Sequence, residues 1–187
     1  MEENYKDEMI VIDNVNRYNE IFGLETKHPL VSIIDLTKST TWPTRAWFRY
    51  EVYALFLKNV KCGDIKYGRQ YYDYQDGTIV CFGPGQITDL ELIQNIQPNA
   101  HGLLFHPDLI RGTSLGQEIK NYSFFSYETN EALHLSEEER QIVMDCLQKI
   151  AIELNHAIDR HSRRLICTNL RLLLDYCMRF YERQFET

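Results

Sequence analysis

The side chains that could do chemistry are few and scattered. Six histidines (His28, His101, His106, His134, His156 and His161) include no H-x-H pair, and five cysteines (Cys62, Cys81, Cys146, Cys167 and Cys177) include no C-x-x-C pair. A zinc or iron centre needs three or four such ligands to converge, usually from short, repeated spacings. His101 and His106 are an odd number of residues apart, so in one continuous strand they face opposite sides of a sheet. Neither a Ser-His-Asp set nor a carboxylate pair can be inferred from spacing. The chain is therefore expected to hold no metal, no cofactor and no catalytic residue. The odd, dispersed cysteines read as buried free thiols of a reducing, cytoplasmic setting.

One stretch invites a different chemistry. Residues 76–87 read DGTIVCFGPGQI, with three glycines around an apolar run. A phosphate-binding loop needs G-x-x-x-x-G-K-[ST], or G-x-G-x-x-G opening a helix. No lysine follows these glycines, and residues 87–93 read as strand. The run Gly112-Thr-Ser-Leu-Gly116 fails for the same lack of context. The stretch is better read as a corner: a turn at Asp76-Gly77, a buried strand, then a turn at Gly83-Pro84-Gly85 into the next strand.

The elements that would position any site change character near residue 135. Before it, short apolar or alternating runs at 30–36, 50–58, 64–74, 78–82, 87–93, 102–105 and 122–126 are separated by Gly, Pro, Asn and Asp. That spacing predicts a sandwich or small barrel rather than βαβ units. Pro107 opens a helical turn after His106. After residue 135 the period becomes helical. Ser136 and Glu139 form an S-x-x-E capping box, and Val143, Leu147, Ile150, Leu154 and Ala157 follow at steps of 4, 3, 4 and 3. A second helix from about Ser162 repeats the spacing with Ile166, Leu170, Leu173, Cys177 and Phe180. Leu165, Leu172, Tyr176, Leu174, Met178 and Tyr181 widen its apolar surface, which suggests cover from both its own domain and a partner.

Charge excludes one role. The 187 residues carry a net charge of −7, whereas a chain that grips nucleic acid by itself usually presents a basic face. The one local basic cluster, Arg160 to Arg164, reads as solvating a helix junction. No apolar run approaches the roughly 18–20 residues of a membrane span, and the acidic N-terminus is no signal peptide.

The ordered set of segments resembles the N-terminal cupin-like domain of AraC-type bacterial transcription regulators. Tyr50-Glu-Val-Tyr-Ala-Leu-Phe-Leu-Lys58 fits an early strand, and Tyr67-Gly-Arg-Gln-Tyr-Tyr-Asp-Tyr74 the strand before the Pro-Gly turn. Leu103-Leu-Phe-His-Pro107 resembles the strand that closes the barrel, and the two helices match the hairpin that follows. The likeness covers about residues 28 to 185. It implies a mainly β fold with α: a cupin-like double-stranded β-helix, or small jelly-roll barrel, then a two-helix hairpin. The implied organisation is an N-terminal arm over 1–27, a sensor barrel over 28–134 and a dimerisation hairpin over 135–187. The family's helix-turn-helix half is expected to be missing, so DNA would be reached only through it.

The resemblance implies a homodimer paired through Ile166, Leu170, Leu173, Cys177 and Phe180, and an unidentified small effector inside the barrel. Arg45, Trp47, Tyr53, Tyr72, Thr88 and His101 are the candidate wall. Two alternatives stand beside this: a stand-alone metal-dependent cupin enzyme, and a pure interaction module whose barrel is filled by its own side chains. Metal cupins use H-x-H, a glutamate and a later histidine; after Pro84-Gly85 this chain instead offers Gln86-Ile-Thr-Asp89.

Overall fold

The computed structural model describes residues 9–58, 65–67, 70–72, 77–126 and 132–185. In chain order the elements are β1 (Met9–Ile12), α1 (Val15–Phe22), β2 (Val31–Asp35), β3 (Arg45–Tyr50), β4 (Tyr53–Lys58), β5 (Ile65–Tyr67), β6 (Gln70–Tyr72), β7 (Thr78–Phe82), β8 (Ile87–Glu91), β9 (Ala100–Phe105), α2 (Pro107–Ile110), α3 (Ser114–Glu118), β10 (Leu133–His134), α4 (Glu137–Asn155) and α5 (Ser162–Phe185).

The strands form two five-stranded sheets, ordered β1-β3-β8-β5-β6 and β10-β7-β4-β9-β2. Pairing is nested. β2 pairs with β9, β3 with β8, β4 with β7 and β5 with β6, each antiparallel. From β2 to β9 the chain crosses between the sheets at every step except the β5–β6 hairpin at the midpoint. It is one long antiparallel ribbon folded back on itself. Cross-pairs β4–β9 and β5–β8 join its successive turns.

The two sheets differ in how they are covered. Between them lie Phe48, Tyr50 and Leu90 from the first sheet and Ile34, Phe56, Phe82 and Leu104 from the second, with Val15, Tyr18 and Phe22 of α1 in the same cluster. The opposite side of the second sheet (Val31, Leu55, Leu57, Leu103 and Phe105) packs with Val143, Leu147 and Ile150 of α4 and with the apolar stripe of α5. The second sheet is thus buried on both faces, and β4, β7 and β9 read as near-continuous apolar runs. The first sheet is wet outside: in β3, exposed Arg45 and Arg49 alternate with buried Ala46, Phe48 and Tyr50. No helix among the described residues is long and apolar enough to cross a membrane.

Several elements differ from the sequence expectations. The run 50–58 is not one strand. β3 ends at Tyr50, the chain turns through Glu51 and Val52, and β4 starts in the other sheet at Tyr53. No glycine or proline marks this corner, because both sides of it bury apolar residues. The run 64–74 contains two paired strands, β5 and β6. Residues 122–126 form a 3-10 turn at Ser123–Phe125 whose two Phe side chains are buried. The segment 1–27 is more than an arm over its described part: β1 pairs in parallel with β3, and α1, capped by Asn14 and ended by Gly23 at φ 65°, packs into the core. The capping box forms, with Ser136 accepting from the Glu139 N–H and Glu139 from the Ser136 N–H.

The DGTIVCFGPGQI stretch is a structural corner over its described residues. Gln86 is buried; its side-chain oxygen accepts from the Gly83 N–H (2.8 Å) and its amide donates to the Phe125 carbonyl (3.2 Å). A Cβ on Gly83 would sit 2.5 Å from that same carbonyl oxygen. Gly83→Ala is therefore expected to cost about 1–3 kcal/mol by overpacking, lowering Tm by several degrees. Pro84→Ala, at an exposed position, serves as the control. Equal melting temperatures for the two variants in calorimetry would contradict this packing.

Candidate functional site

Among the described residues, the space between the sheets is nearly full. A cavity of about 20 Å³ there is lined among others by Tyr18, Phe48, Tyr50, Phe56, Lys58 and Thr88. That is room for about one water, against roughly 300–1,000 Å³ for a small-molecule site. The reason is aromatic packing: Tyr50 stacks on Phe82 at 5.2 Å and Tyr18 on Phe22 at 4.5 Å. Tyr50 is also hydrogen-bonded to Thr88, while burial pushes its phenol pKa well above the usual range.

Of the six candidate wall residues, Thr88 alone is placed in this interior by its described side chain. Arg45 and Trp47 lie on the outer face of the first sheet, where Arg45 pairs with Glu91 at 3.6 Å and Trp47 sits in register with Met9 and Asp89. Tyr53 faces the helical side, stacked on Phe105 at 4.8 Å and edge-on to Phe125 at 5.1 Å. His101 shares that side of its strand and lies 3.8 Å from the Asp35 carboxylate. Tyr72 is located by its register with Ile65; its side chain lies outside the described residues. These groups do not converge on one ligand. The alternation was legible, but not the corner at Glu51 and Val52 that decides which sheet each residue belongs to.

The structure builds a different groove. Residues 23–27, the edge strand β2 and the C-terminal turn of α4 enclose about 450 Å³. Its lining mixes Val31 and Ile33 with Ser32, Asp35, Lys38 and Gln148, and Lys27 Nζ donates to Asn155 Oδ1 at 2.6 Å. Sequence reasoning missed it because its walls come from segments more than a hundred residues apart. The polar Ser32 and Asp35 inside an apolar strand were the one available signal.

The predicted pairing stripe on α5 is also placed otherwise. Ile166, Leu170, Leu173, Cys177 and Phe180 are 0–5% exposed, buried against the chain's own second sheet. The 4-3 spacing marks the face with the greatest need for burial; it does not say who covers it. A flank of α5 beside this stripe carries Leu165 and Leu172, 43% and 38% exposed; elsewhere, Ile152 of α4 and Ile158 of the connecting loop are more exposed still. Half-buried Tyr176 has the Arg179 guanidinium 5.7 Å from its ring centre. Among the described residues, no group of three or more His, Cys, Asp and Glu is placed to hold a metal ion. Burial raises the thiol pKa values of Cys81, Cys146, Cys167 and Cys177.

Phe56→Ala tests how full the interior is. It should cost about 3–5 kcal/mol in denaturant unfolding. A loss below about 1 kcal/mol would mean a loose interior with room for a ligand.

No family model matches the chain, and no curated protein matches it. Among solved structures it is similar to an apo ToxT lysine-to-alanine variant from Vibrio cholerae strain SCE256, at 9% identity and a TM-score of 0.47. The alignment covers 87% of this chain and 58% of that one, so the chain spans less than two thirds of its length.

Proposed function

We propose that the chain is the regulatory and dimerisation part of an AraC-type transcription regulator, and not an enzyme. The nested pairing of β2 to β9, eight of the ten described strands, supports the reading of a jelly-roll, cupin-like body. The segments that resemble the family fall on β4, the β5–β6 hairpin, the β7–β8 turn, β9 and the α4–α5 hairpin. Of the forms such a part can take, the filled interior favours a pairing module over a barrel that encloses its effector. DNA reading then belongs to a separate part of the regulator, consistent with a net charge of −7 here.

The observation that carries this reading is the two-sidedness of α5. One face is consumed by the chain's own core. The flank beside it holds Leu165 and Leu172 one heptad apart, with Asn169 between them and Tyr176 beyond. The proposed partner is a second copy, α5 against α5, because a two-fold interface uses the same patch twice. A paired regulator also suits paired half-sites in DNA. A second reading has its own observation: the 450 Å³ groove beside β2 is large enough, and polar enough, to take a small effector outside the sandwich.

Sedimentation tests the pairing. Wild type should be dimeric at micromolar concentration. Leu165→Glu with Leu172→Glu should weaken the dimer about 100-fold or more while Tm falls little, since both side chains are exposed in the single chain. Leu173→Glu should instead unfold the chain, because Leu173 is fully buried. A monomeric wild type, or a double variant that stays dimeric, would exclude this face.

A further inference from the structure

Arginine gathers at one place in an otherwise acidic chain. The loop after α2, the start of α3 and the first turns of α5 enclose a cleft of about 550 Å³. Arg111, Arg160, Arg163, Arg164 and Arg171 all line it, and none of its lining residues is acidic. Carboxylates at its margin neutralise two of the five: Asp108 pairs with Arg111 at 2.6 Å and Glu118 with Arg171 at 2.6 Å. Arg160, Arg163 and Arg164 have no carboxylate partner among the described residues.

The arrangement is partly fixed. Arg163 is held in place by three carbonyls that round off α2: its Nε donates to Leu109 O at 3.0 Å, and its Nη2 to Asp108 O at 3.2 Å and Arg111 O at 2.9 Å. Those bonds use neutral acceptors, so its charge stays uncompensated, and Nη1 remains to serve a ligand. Arg171, braced by Glu118, also donates from Nη2 to Ser114 Oγ at 3.3 Å. Arg160 Nε donates to His161 Nε2 at 3.2 Å. Thr113, Ser114 and Thr168 add hydroxyls to the same lining. Three uncompensated guanidinium groups beside one concavity repel each other. A multivalent anion would relieve that repulsion and accept their charge-assisted hydrogen bonds.

We propose that this cleft binds a small phosphorylated ligand through a di- or polyphosphate group. A phosphoryl group offers close to two negative charges and three acceptor oxygens, and guanidinium forks match that geometry. The volume exceeds the need of one phosphate and lies in the small-molecule range. A nucleic-acid strand is disfavoured by the chain's net charge of −7. The site is separate from the exposed Leu165 and Leu172 face and stands whether or not that face pairs.

Calorimetric titration of the full chain with inorganic pyrophosphate, inorganic phosphate and acetate at matched ionic strength tests this. Wild type should bind pyrophosphate more tightly than phosphate, and acetate should give no saturable heat. Arg160→Ala with Arg164→Ala should weaken pyrophosphate binding by about 30-fold or more. The same double variant, without anion, should keep or raise its Tm, as relief of repulsion requires. Arg17→Ala with Arg49→Ala, which removes two arginines elsewhere, should leave binding unchanged. Three results would overturn the proposal: no saturable binding of pyrophosphate by wild type, equal weakening in the remote double variant, or a duplex oligonucleotide that displaces pyrophosphate at lower concentration than pyrophosphate itself binds.

Discussion

The structure depends on one shared sheet. The strands β10, β7, β4, β9 and β2 form a layer that packs against the first sheet on one side and the helical hairpin on the other. Both cores meet across it. Leu55 and Leu57 point to the helices while Ala54 and Phe56, their neighbours in the same strand, point to the first sheet. Period-two alternation therefore serves two hydrophobic clusters at once, and a one-residue slip in β4 would exchange the two sets. Nested pairing locks that register, because β4 is bonded to β7 on one side and β9 on the other. The hairpin is no appendage: it is the third layer of the same body.

Much of this was legible. The start of α4 followed from the S-x-x-E box and its buried face from the 4-3 steps of Val143, Leu147 and Ile150, but its end did not: Ala157, the last residue of the expected stripe, lies exposed beyond Asn155. The turn at Gly83-Pro84-Gly85 followed from residues that favour turns, and its buried Gln86 explains why the corner is rigid. What could not be read was sheet membership. The corner at Glu51 and Val52 carries no glycine or proline, so Tyr50 and Tyr53 looked like members of one strand. The aromatic stretch around Phe124 and Phe125 looked like strand because aromatic residues favour strands; tertiary packing made it a 3-10 plug instead.

The candidate site was read less well, for a related reason. Arg45, Trp47, Tyr53 and His101 were named by residue type, and types do not reveal direction. Two point outward from the first sheet and two toward the helical side, while the interior fills with Phe48, Phe56 and Phe82. The α5 stripe shows the same limit. Its spacing announced burial, and the nearest apolar surface, the back of the second sheet, claimed it first. Features that remain outside, the groove beside β2 and the arginine cleft, are assembled from distant segments; each left only a partial mark in the sequence, Ser32 and Asp35 in an apolar strand and the basic run from Arg160 to Arg164, and neither mark reveals the concavity. Among the described residues the interior is filled, and the two larger clefts lie outside the sandwich, one beside β2 and one at the start of α5.

Native mass spectrometry of the unmodified chain tests this account most directly, because it reports pairing and retained molecules together. The account predicts a species near twice 22.2 kDa that carries no organic molecule beyond displaceable anions. A monomer that retains an organic molecule until it unfolds would contradict it, since release only on unfolding is the mark of a molecule enclosed between the sheets, where Tyr50, Phe56 and Phe82 pack.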